Sequence, residues 1–528
     1  MTKAIELAKV SAKGGFHLLW GLLVSTIISA VGSIIIANLL GPDNYGLYAI
    51  ALTAPNLISI FRDMGIASAL VKYSAQYKAE NNVAKMKSVF VSSLLFEIIL
   101  GLALSILSFV LSGFLASNLN RPTIFPFIQV ASLIILTGAI VNVASAAFTG
   151  MEKMHLNSIM IVIQSVVKTG IVIALVLLGF GSFGAVTGFT IALLITAIAG
   201  FLLVWTIYRP LIQQTKSKLE FLSTIKTMLK YGLPLSISTI VGGFLTQFLT
   251  YILAIYVTSN ATIGNYSVAA NFIILINFFA MPINTMMFPA FSKLDYNKDK
   301  DSLRIVYQYS VKYSALVVVP VSALVITLAQ PAIGTIFQNR YTEAPLFLAL
   351  LSISYLLSAL GSLSENNLIT GQGYTTFNLK MTLLGVAIGF PLGFVLISQF
   401  GVIGLIITTF SISLPGLLIG LRFIKKQFEV SIDWISSAKI LLSAAVASVP
   451  TYIMVSTLPL SNLMLLIIGV IVFSTIFVVS TLLTRTLNAA DIVNLRQIIQ
   501  GLGPFQKPLL SLLNILEKFM KIIQADPR

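Results

Sequence analysis

Two oppositely charged neighbours, Arg62 and Asp63, lie near the middle of an apolar segment that runs from Asn56 to Tyr73, "NLISIFRDMGIASALVKY". Each charge at the centre of a membrane helix costs about 3 kcal/mol on insertion scales, so such residues usually face a bundle interior or a water-filled cavity. An arginine fork beside a carboxylate could bind an anionic group. The segment is therefore a candidate binding site in a membrane protein.

Two more ionisable residues, Glu97 and Lys168, fall well inside apolar segments. We predict that Arg62 and Lys168 present positive charge to an anionic substrate in a central cavity. Asp63 and Glu97 would then orient the cations or carry a coupling ion. The alternative is that the four charges neutralise one another as interhelical pins, because charged residues inside membranes pair with each other.

Uncharged polar residues extend this candidate site. Asn56 precedes Asp63 by seven positions and Gln164 precedes Lys168 by four, so each pair shares a face of a continuous helix. More often such residues join helices by hydrogen bonds. We include four of them among the residues that line the central cavity: Asn56, Gln164, Gln247 and Asn284.

The composition identifies the class of protein that carries these residues. The chain has 528 residues, of which 57% are hydrophobic and 9% charged, and its mean hydropathy is +0.97. A soluble domain has about a quarter charged residues, so this is a polytopic membrane protein. Cysteine is absent and there are two histidines, so we predict no metal site. The formal charge of +16 indicates cytoplasmic loops rather than nucleic acid, because Lys and Arg gather there.

Windows of about 20 apolar residues predict an all-α fold with fourteen transmembrane helices. They are 15–40, 47–71, 88–115, 124–148, 158–178, 184–208, 232–256, 266–291, 309–329, 345–369, 377–397, 402–423, 435–455 and 463–483. With the N-terminus inside, the outer loops hold only Arg121 and Arg340 as cations. This asymmetry predicts that both termini are cytoplasmic.

The first six predicted helices resemble the next six. "TGMEKMHLN" at Thr149 and "TGQGYTTFN" at Thr370 differ by 221 positions, as do "NYG" at Asn44 and "NYS" at Asn265. "FGSFG" and "FGVIG" recur with nearly the same shift. An even number of helices keeps both copies in the same orientation, which predicts two parallel lobes around a central cavity.

These patterns divide the chain into five predicted segments. The segments are an N-terminal lobe 1–208, a cytoplasmic linker 209–231, a C-terminal lobe 232–423, two extra helices in 424–487 and an amphipathic cytoplasmic tail 488–528. No phosphate-binding loop G-x-x-x-x-G-K-[ST] occurs, nor does G-x-S-x-G or H-E-x-x-H. We predict a transporter without a cofactor and not an enzyme. Its energy source would be an ion gradient, with Na⁺ or H⁺ as the coupling ion, the membrane potential, the substrate gradient or a partner.

Residues 39–77 resemble the opening of polysaccharide-biosynthesis flippases of the MOP superfamily, which includes the MATE exporters. In that family a G-P-x-x-Y-G loop leads into a helix that ends near D-x-G-h-x-x-A-h-h-[KR]. The matching residues here are Gly41, Pro42, Tyr45, Gly46, Asp63, Gly65, Ala69 and Lys72. Residues 265–294 are similar to the family's eighth helix, including its P-A-[FL]-S-[KR] end, which begins at Pro289.

The resemblance implies a flippase that moves lipid-linked oligosaccharides from the inner to the outer leaflet of the cell membrane. Members are thought to work by alternating access, with cavity cations that meet a polyprenyl phosphate or diphosphate. The expected partners are this anionic glycan lipid, the bilayer and glycosyltransferases, with no nucleic acid, and a monomer is expected. The alternatives are an ion-coupled multidrug exporter of the MATE type, a polysaccharide polymerase and a scaffold that recruits glycosyltransferases.

Overall fold

The structure, a computed structural model, describes residues 2–213, 219–488, 491–494, 496, 506, 510, 511, 513, 514, 517 and 518. For residues 2–19, 211, 212 and 282–286 it describes the backbone alone. This part of the chain is helical, with no β-strand among its residues. The prediction of an all-α membrane protein is confirmed.

The described residues form seventeen α-helices in chain order. They are α1 Thr2–Ser59, α2 Ile66–Ala79, α3 Val83–Val110, α4 Ser112–Asn118, α5 Phe125–Gly150, α6 Met154–Leu175, α7 Gly181–Gln213, α8 Phe221–Tyr256, α9 Asn260–Phe272, α10 Ile274–Ser292, α11 Lys300–Thr327, α12 Ala329–Phe337, α13 Ala344–Leu356, α14 Glu365–Gly371, α15 Thr375–Phe428, α16 Trp434–Thr457 and α17 Asn462–Leu483.

Side-chain caps fix several helix starts. The side chain of Asn82 accepts a hydrogen bond from the backbone N–H of Lys85 at 3.1 Å, so α3 begins at the next residue after Asn82. The carboxylate of Asp433 accepts from the N–H groups of Ile435 and Ser436 at the start of α16. Such caps satisfy donors that have no partner within the helix.

Ten helices in the described part of the chain are long and apolar enough to cross a membrane, or eleven if the bent pair Ala344–Leu360 and Glu365–Gly371 forms one span. The prediction of fourteen is not confirmed by this count. Two of the helices, α1 and α15, have 58 and 54 residues. At 1.5 Å per residue each is more than twice as long as the roughly 30 Å hydrocarbon core.

Glycines with positive φ interrupt α1 and α15 and separate α6 from α7. In α1 the interruption is Gly41, with φ 69° and ψ 172°. Between α6 and α7 it is Gly179 and Gly181, with φ values of 92° and 53°, and in α15 it is Gly401, with φ 54°. Only glycine adopts such angles at little cost, so the sequence itself fixes where each long helix breaks.

The internal repeat is visible in the local backbone. Gly181 and Gly401 belong to the two related "FG" motifs and have nearly the same conformation, φ 53° and ψ −139° against φ 54° and ψ −123°. In the repeated "TG" motif, Glu152 and Gly373 both have positive φ. The backbone N–H of the next residue then donates to the carbonyl oxygen five positions earlier, from Lys153 to Phe148 at 2.8 Å and from Tyr374 to Ile369 at 3.0 Å. This hydrogen bond is typical of a helix C-terminus. The division into lobes 1–208 and 232–423 stays a prediction.

Contacts group the residues into two compact units. The first unit is Met1–Ile274, Arg340–Phe347 and Thr376–Ile412, and the second is Leu275–Asn339, Leu348–Thr375 and Ser413–Arg528. In the core of the first, Phe90 stacks on Tyr208 with ring centroids 3.9 Å apart, and Tyr208 shares a hydrogen bond with Ser74. In the second, Phe473 and Phe477 are buried among α11, α16 and α17.

The start of the predicted tail packs against α11 in the second unit through a buried ion pair. The Nζ of Lys312 lies 2.7 Å from the carboxylate of Asp491, and the two side chains are 11% and 1% exposed. The hydroxyl of Tyr313 donates to the other oxygen of Asp491 at 3.2 Å. Ile492 lies in an apolar cluster with Leu482, so charge and burial together attach this short segment.

We expect Lys312→Ala to lower the Tm of the purified protein by several degrees. Removing one partner of a buried ion pair costs about 3–5 kcal/mol because the other charge stays buried. The control is Lys300→Ala, whose partner Glu429 is exposed. An exposed pair contributes little, so this variant should keep the wild-type Tm in the same detergent. Equal Tm changes in the two variants would contradict the assignment.

Candidate functional site

A polar cavity of about 290 Å³ lies between α1, α6 and α9 in the first unit. Its lining residues are Ser29, Ser33, Ile36, Tyr45, Tyr48, Ala49, Leu52, Asn56, Lys168, Thr169, Tyr266, Ser267, Ala270 and Asn271. The set combines hydroxyl groups, two amides and one ammonium group with a few aliphatic side chains. Pockets for small ligands have this mixed character, with few polar groups that fix orientation.

Lys168 is the charged member of this lining, and it lies in the middle of α6. Five ion pairs occur among the described residues, and Lys168 belongs to none of them. Its Nζ lies 4.9 Å from the ring centroid of Phe189, a cation–π contact that compensates part of the lost hydration. The ammonium group therefore has no carboxylate partner in the described chain and can meet an anion in the cavity.

Hydroxyl groups surround the space next to Lys168. The side chain of Asn271 donates to the hydroxyl oxygen of Tyr45 at 2.9 Å, which leaves the Tyr45 O–H as a donor. The hydroxyl of Ser29 donates to Ser165 at 3.1 Å. Tyr266 also lines the cavity. Neutral donors beside one cation suit a ligand that has a charged group and several hydroxyls, because bonds to a charged group are the strongest.

The family loop G-P-x-x-Y-G has a structural explanation beside this cavity. Gly41 breaks α1, and Pro42 follows as the first residue of the next helical stretch, where its missing N–H costs nothing. Tyr45 contributes its ring to the cavity wall. Gly46 approaches the carbonyl oxygen of Asn260 so closely that a Cβ atom there would overlap it. Each of these motif residues therefore has a backbone or cavity role.

The same crossing involves a second glycine. A Cβ atom at Gly264 would overlap the carbonyl oxygen of Pro42, so the backbones of α1 and α9 touch at Gly46 and Gly264. Nearby, the hydroxyl of Tyr341 donates to the carbonyl of Ala37 at 2.7 Å. This crossing fixes how α1 and α9 meet beside the cavity.

Arg121 fastens the loop after α4 to the end of α8. Its guanidinium donates to the side-chain oxygen of Asn260 at 2.6 Å. It also donates to four carbonyl oxygens at 2.7–2.8 Å, those of Leu119, Ala254, Val257 and Thr258. Each N–H vector thus has an acceptor, which explains why this cation can be buried. Arg121 is a structural clamp rather than a free surface charge.

The structure brings Arg62 and Glu97 together as an ion pair. The Nε of Arg62 lies 3.6 Å from a carboxylate oxygen of Glu97, and the side chains are 18% and 0% exposed. One Nη atom of Arg62 packs against Gly138, where a Cβ atom would overlap it. Neither residue lines the cavity around Lys168. The pair matches the interpretation as an interhelical pin, and a role for Arg62 in substrate binding stays a prediction.

Asp63 does not continue the polar stripe that begins at Asn56. The prediction of one helix over 47–71 is wrong, because α1 ends at Ser59 and α2 begins at Ile66. The carboxylate of Asp63 instead accepts from the backbone N–H of Ala67 at 2.8 Å. A short acidic side chain that bonds the backbone competes with a continuous helix, and periodicity alone does not detect it. Asn56 remains at the cavity.

Three other motif residues are not among the residues that line the cavity. Gly65 has φ 84° and touches the backbone of Gly232, where neither position has room for a Cβ atom. Lys72 places its Nζ 3.7 Å above the ring centroid of Tyr231. Pro289 lies near the end of α10 in the second unit, with an exposed side chain. Of these three, Gly65 has a backbone role in the scaffold.

The remaining predicted site residues are not among those that line the cavity. Gln164 lies one turn before Lys168 on α6 and Gln247 lies on α8, both half-buried. The side chain of Asn284 lies outside the described residues. Within the described part of the chain, no group of three His, Asp or Glu side chains could hold a metal ion.

The sequence analysis named Tyr45 only as a motif residue and did not name Tyr266, although a signal that both line the cavity was present. Tyr45 and Tyr266 follow the asparagines of the repeated "NYG" and "NYS" motifs, and both line the cavity. A tyrosine at the same place in each copy of a repeat indicates a wall shared by both copies. The repeat equivalent of Lys168 is Gly389, which packs against Leu245 and supplies no charge.

Comparison with known proteins gives one family and several relatives. Residues 35–346 match the family described as "Polysaccharide biosynthesis protein". An uncharacterised membrane protein of Methanocaldococcus jannaschii is 24% identical over 75% of this chain and 80% of its own. The lipopolysaccharide biosynthesis protein WzxC of Escherichia coli is 21% identical over 65% and 67%. The probable low-salt glycan biosynthesis flippase Agl15 of Haloferax volcanii is 20% identical over 54% and 60%.

Solved structures share the fold. The lipid II flippase MurJ in its inward closed conformation superposes with a TM-score of 0.71 at 15% identity, covering 88% of this chain and 97% of MurJ. An inward-facing multidrug resistance transporter of the MATE family superposes with a TM-score of 0.58 at 17% identity, covering 78% and 99%. Both are transporters of the fold that the chain adopts.

We expect Gly46→Ala to lower the Tm of the purified protein, because the new methyl group would overlap the Asn260 carbonyl. Forcing an extra methyl into a packed site costs about 1–3 kcal/mol. The matched control is Gly113→Ala in α4, where a Cβ atom meets open space and alanine favours the helix. The crossing would be less tight than described if both variants kept the wild-type Tm.

Proposed function

The chain belongs to the polysaccharide biosynthesis protein family, and we propose that it is a flippase that moves a lipid-linked oligosaccharide from the inner to the outer leaflet. The observation that carries this proposal is the ammonium group of Lys168 in a hydroxyl-lined cavity, without a carboxylate partner among the described residues. The substrate would be a polyprenyl phosphate or diphosphate that bears the glycan.

The chemistry of such a lipid fits this cavity. Its phosphate cannot enter hydrocarbon unless another group replaces its hydration, and a lysine does so as a point charge. Tyr45, Tyr266 and Asn56 can exchange hydrogen bonds with sugar hydroxyls. A volume of about 290 Å³ is at the small end for ligand pockets, so we place the phosphate and the adjoining sugar here. The remaining sugars would need a wider conformation.

The topology that we propose has fourteen spans. The three helical stretches that glycine interrupts would each cross the membrane twice, and the bent pair of α13 and α14 would cross once. An even number of crossings places both termini on one side. The excess of Lys and Arg in alternate loops makes that side the cytoplasm.

Alternating access would use the two predicted lobes, 1–208 and 232–423. Gly46 and Gly65 of the first lobe touch Gly264 and Gly232 of the second. Because these contacts are between backbones without side chains, they can separate without removing a large interdigitated surface. We infer that the Gly46–Gly264 contact or the Gly65–Gly232 contact separates when the cavity opens to the side of the membrane on which that contact lies.

We further propose that the transport cycle uses an ion gradient and takes place in the cell membrane. Arg62 and Glu97, at 3.6 Å, could exchange partners when substrate or a Na⁺ or H⁺ ion arrives. The protein would act as a monomer and not as an enzyme, and it would receive its lipid from glycosyltransferases. An ion-coupled exporter of cationic drugs fits less well, because no carboxylate is among the described residues that line the cavity.

We expect Lys168→Gln to reduce flipping of a fluorescent lipid-linked sugar in proteoliposomes by at least about tenfold. A hydrogen bond to a charged group contributes about 1.5–3 kcal/mol, which is roughly a factor of ten or more. Lys168→Arg should retain part of the rate, and the control Lys425→Gln, in the last turn of α15, should retain all of it. Normal flipping by Lys168→Gln would end the proposal that this lysine binds the head group.

A double substitution distinguishes a role of Arg62 in transport from its role in stability. We expect Arg62→Met alone to lower the Tm, because it leaves the Glu97 carboxylate buried without a counter-charge. Arg62→Met with Glu97→Gln should restore the Tm and still flip more slowly than wild type. A double variant that is stable and flips at the normal rate would identify the pair as a pin only.

A further inference from the structure

A second polar site lies between α2, α3 and the first turns of α8, in the first unit. Two adjoining cavities of about 340 and 560 Å³ both use Tyr73 and Thr227 as lining residues. We call them together the tyrosine groove. Both α2–α3 and the start of α8 carry segments that the sequence predicts to be cytoplasmic, so the groove opens at the predicted inner membrane surface. Among the described residues, the cavity around Lys168 shares no lining residue with the groove.

Three aromatic rings form one wall of the tyrosine groove. Tyr73 stacks on Tyr77 with ring centroids 5.9 Å apart and meets Tyr231 edge-on at 5.8 Å. Lys72 lies above the Tyr231 ring at 3.7 Å, and the Nζ of Lys85 lies 5.4 Å from the Tyr77 ring. These cation–π contacts hold ammonium groups at the wall while leaving their N–H donors available.

The groove is basic. Lys85, Lys226 and Lys230 are lining residues, and the acidic residue among them is Glu220. The Glu220 carboxylate accepts a hydrogen bond from the hydroxyl of its neighbour Ser223. None of the three lysines is in the five ion pairs of the described residues. Three ammonium groups against one carboxylate leave a positive groove.

The walls are fixed by contacts that do not use these charges. Ser88 of α3 and Thr224 of α8 share a hydrogen bond of 2.9 Å. At the other end of the groove, Gly65 and Gly232 bring the backbones just before α2 and within α8 together. In this conformation the lysines are therefore presented by helices that already contact one another, and binding an anion here would need little reorganisation of the walls.

We propose that the tyrosine groove binds the phosphate-bearing head group of a membrane lipid in the cytoplasmic leaflet. Clustered lysines beside a membrane attract anionic lipids, and tyrosine side chains favour the membrane–water interface because one end is apolar and the other is polar. A soluble phosphate would gain nothing from the apolar parts of the half-buried tyrosine rings. This proposal rests on the proposed function in one respect, since the bound lipid would be the substrate before it reaches Lys168.

The test is equilibrium binding to the full-length protein in detergent, in a Lys168→Gln background that removes the cavity cation. The probe is farnesyl diphosphate, a short lipid diphosphate, and the measurement is its Kd by isothermal titration. Lys226→Gln with Lys230→Gln should weaken binding by about tenfold or more, since charged hydrogen bonds are lost. The control, Lys425→Gln with Lys426→Gln, removes the same charge from the end of α15 and should leave the Kd unchanged.

Two results would overturn the groove proposal. One is an equal Kd for the groove variant and the control variant. The other is binding of inorganic diphosphate as tight as that of farnesyl diphosphate, which would make the groove a site for soluble phosphates. Flipping by the wild-type protein is measured separately in proteoliposomes. A wild type that binds but does not flip refutes the proposed function and leaves the groove, whereas flipping with no groove binding refutes the groove alone.

Discussion

An ammonium group among apolar helices is unfavourable unless polar groups or an anion compensate for its lost hydration. Lys168 meets this constraint through contact with a phenylalanine ring and through its position in a hydroxyl-lined cavity. It forms no ion pair with an acidic side chain among the described residues. The hydroxyl and amide groups of the cavity wall provide a polar environment for this one charge. Arg62 meets the same constraint differently, by pairing with Glu97.

The sequence predicted the general architecture well because its signals are strong physical ones. Long apolar runs identify membrane helices, and the family resemblance of residues 39–77 is confirmed by the match to the polysaccharide biosynthesis family. The repeat was also detectable, since Gly181 and Gly401 must both adopt a conformation that other residues avoid. The number of spans was harder to confirm, because α1 and α15 run on through their glycine breaks.

The site was predicted only in part. Buried charges are visible in a sequence, but their partners are not, so Arg62 and Lys168 looked equivalent although only Arg62 pairs with an acid. Asp63 was misplaced because helical periodicity carries no information about a carboxylate that bonds the backbone. The place of the tyrosines in the cavity wall was not predicted, because an aromatic residue in a membrane helix is usually part of the apolar core. The repeat, read together with the charges, would have identified Tyr45 and Tyr266.

These tyrosines have a consequence for how a ligand is oriented. The two copies of the repeat supply matching phenols to the cavity, but only the first supplies a charge, since Gly389 stands where Lys168 would recur. A duplicated scaffold of this kind begins with two equivalent halves, and a cargo could enter it in either sense. Because Lys168 has no counterpart in the second copy, a molecule with one acidic end would bind in one orientation only. Under the proposed function, the orientation of the bound molecule would thus be set by divergence between the copies rather than by the fold.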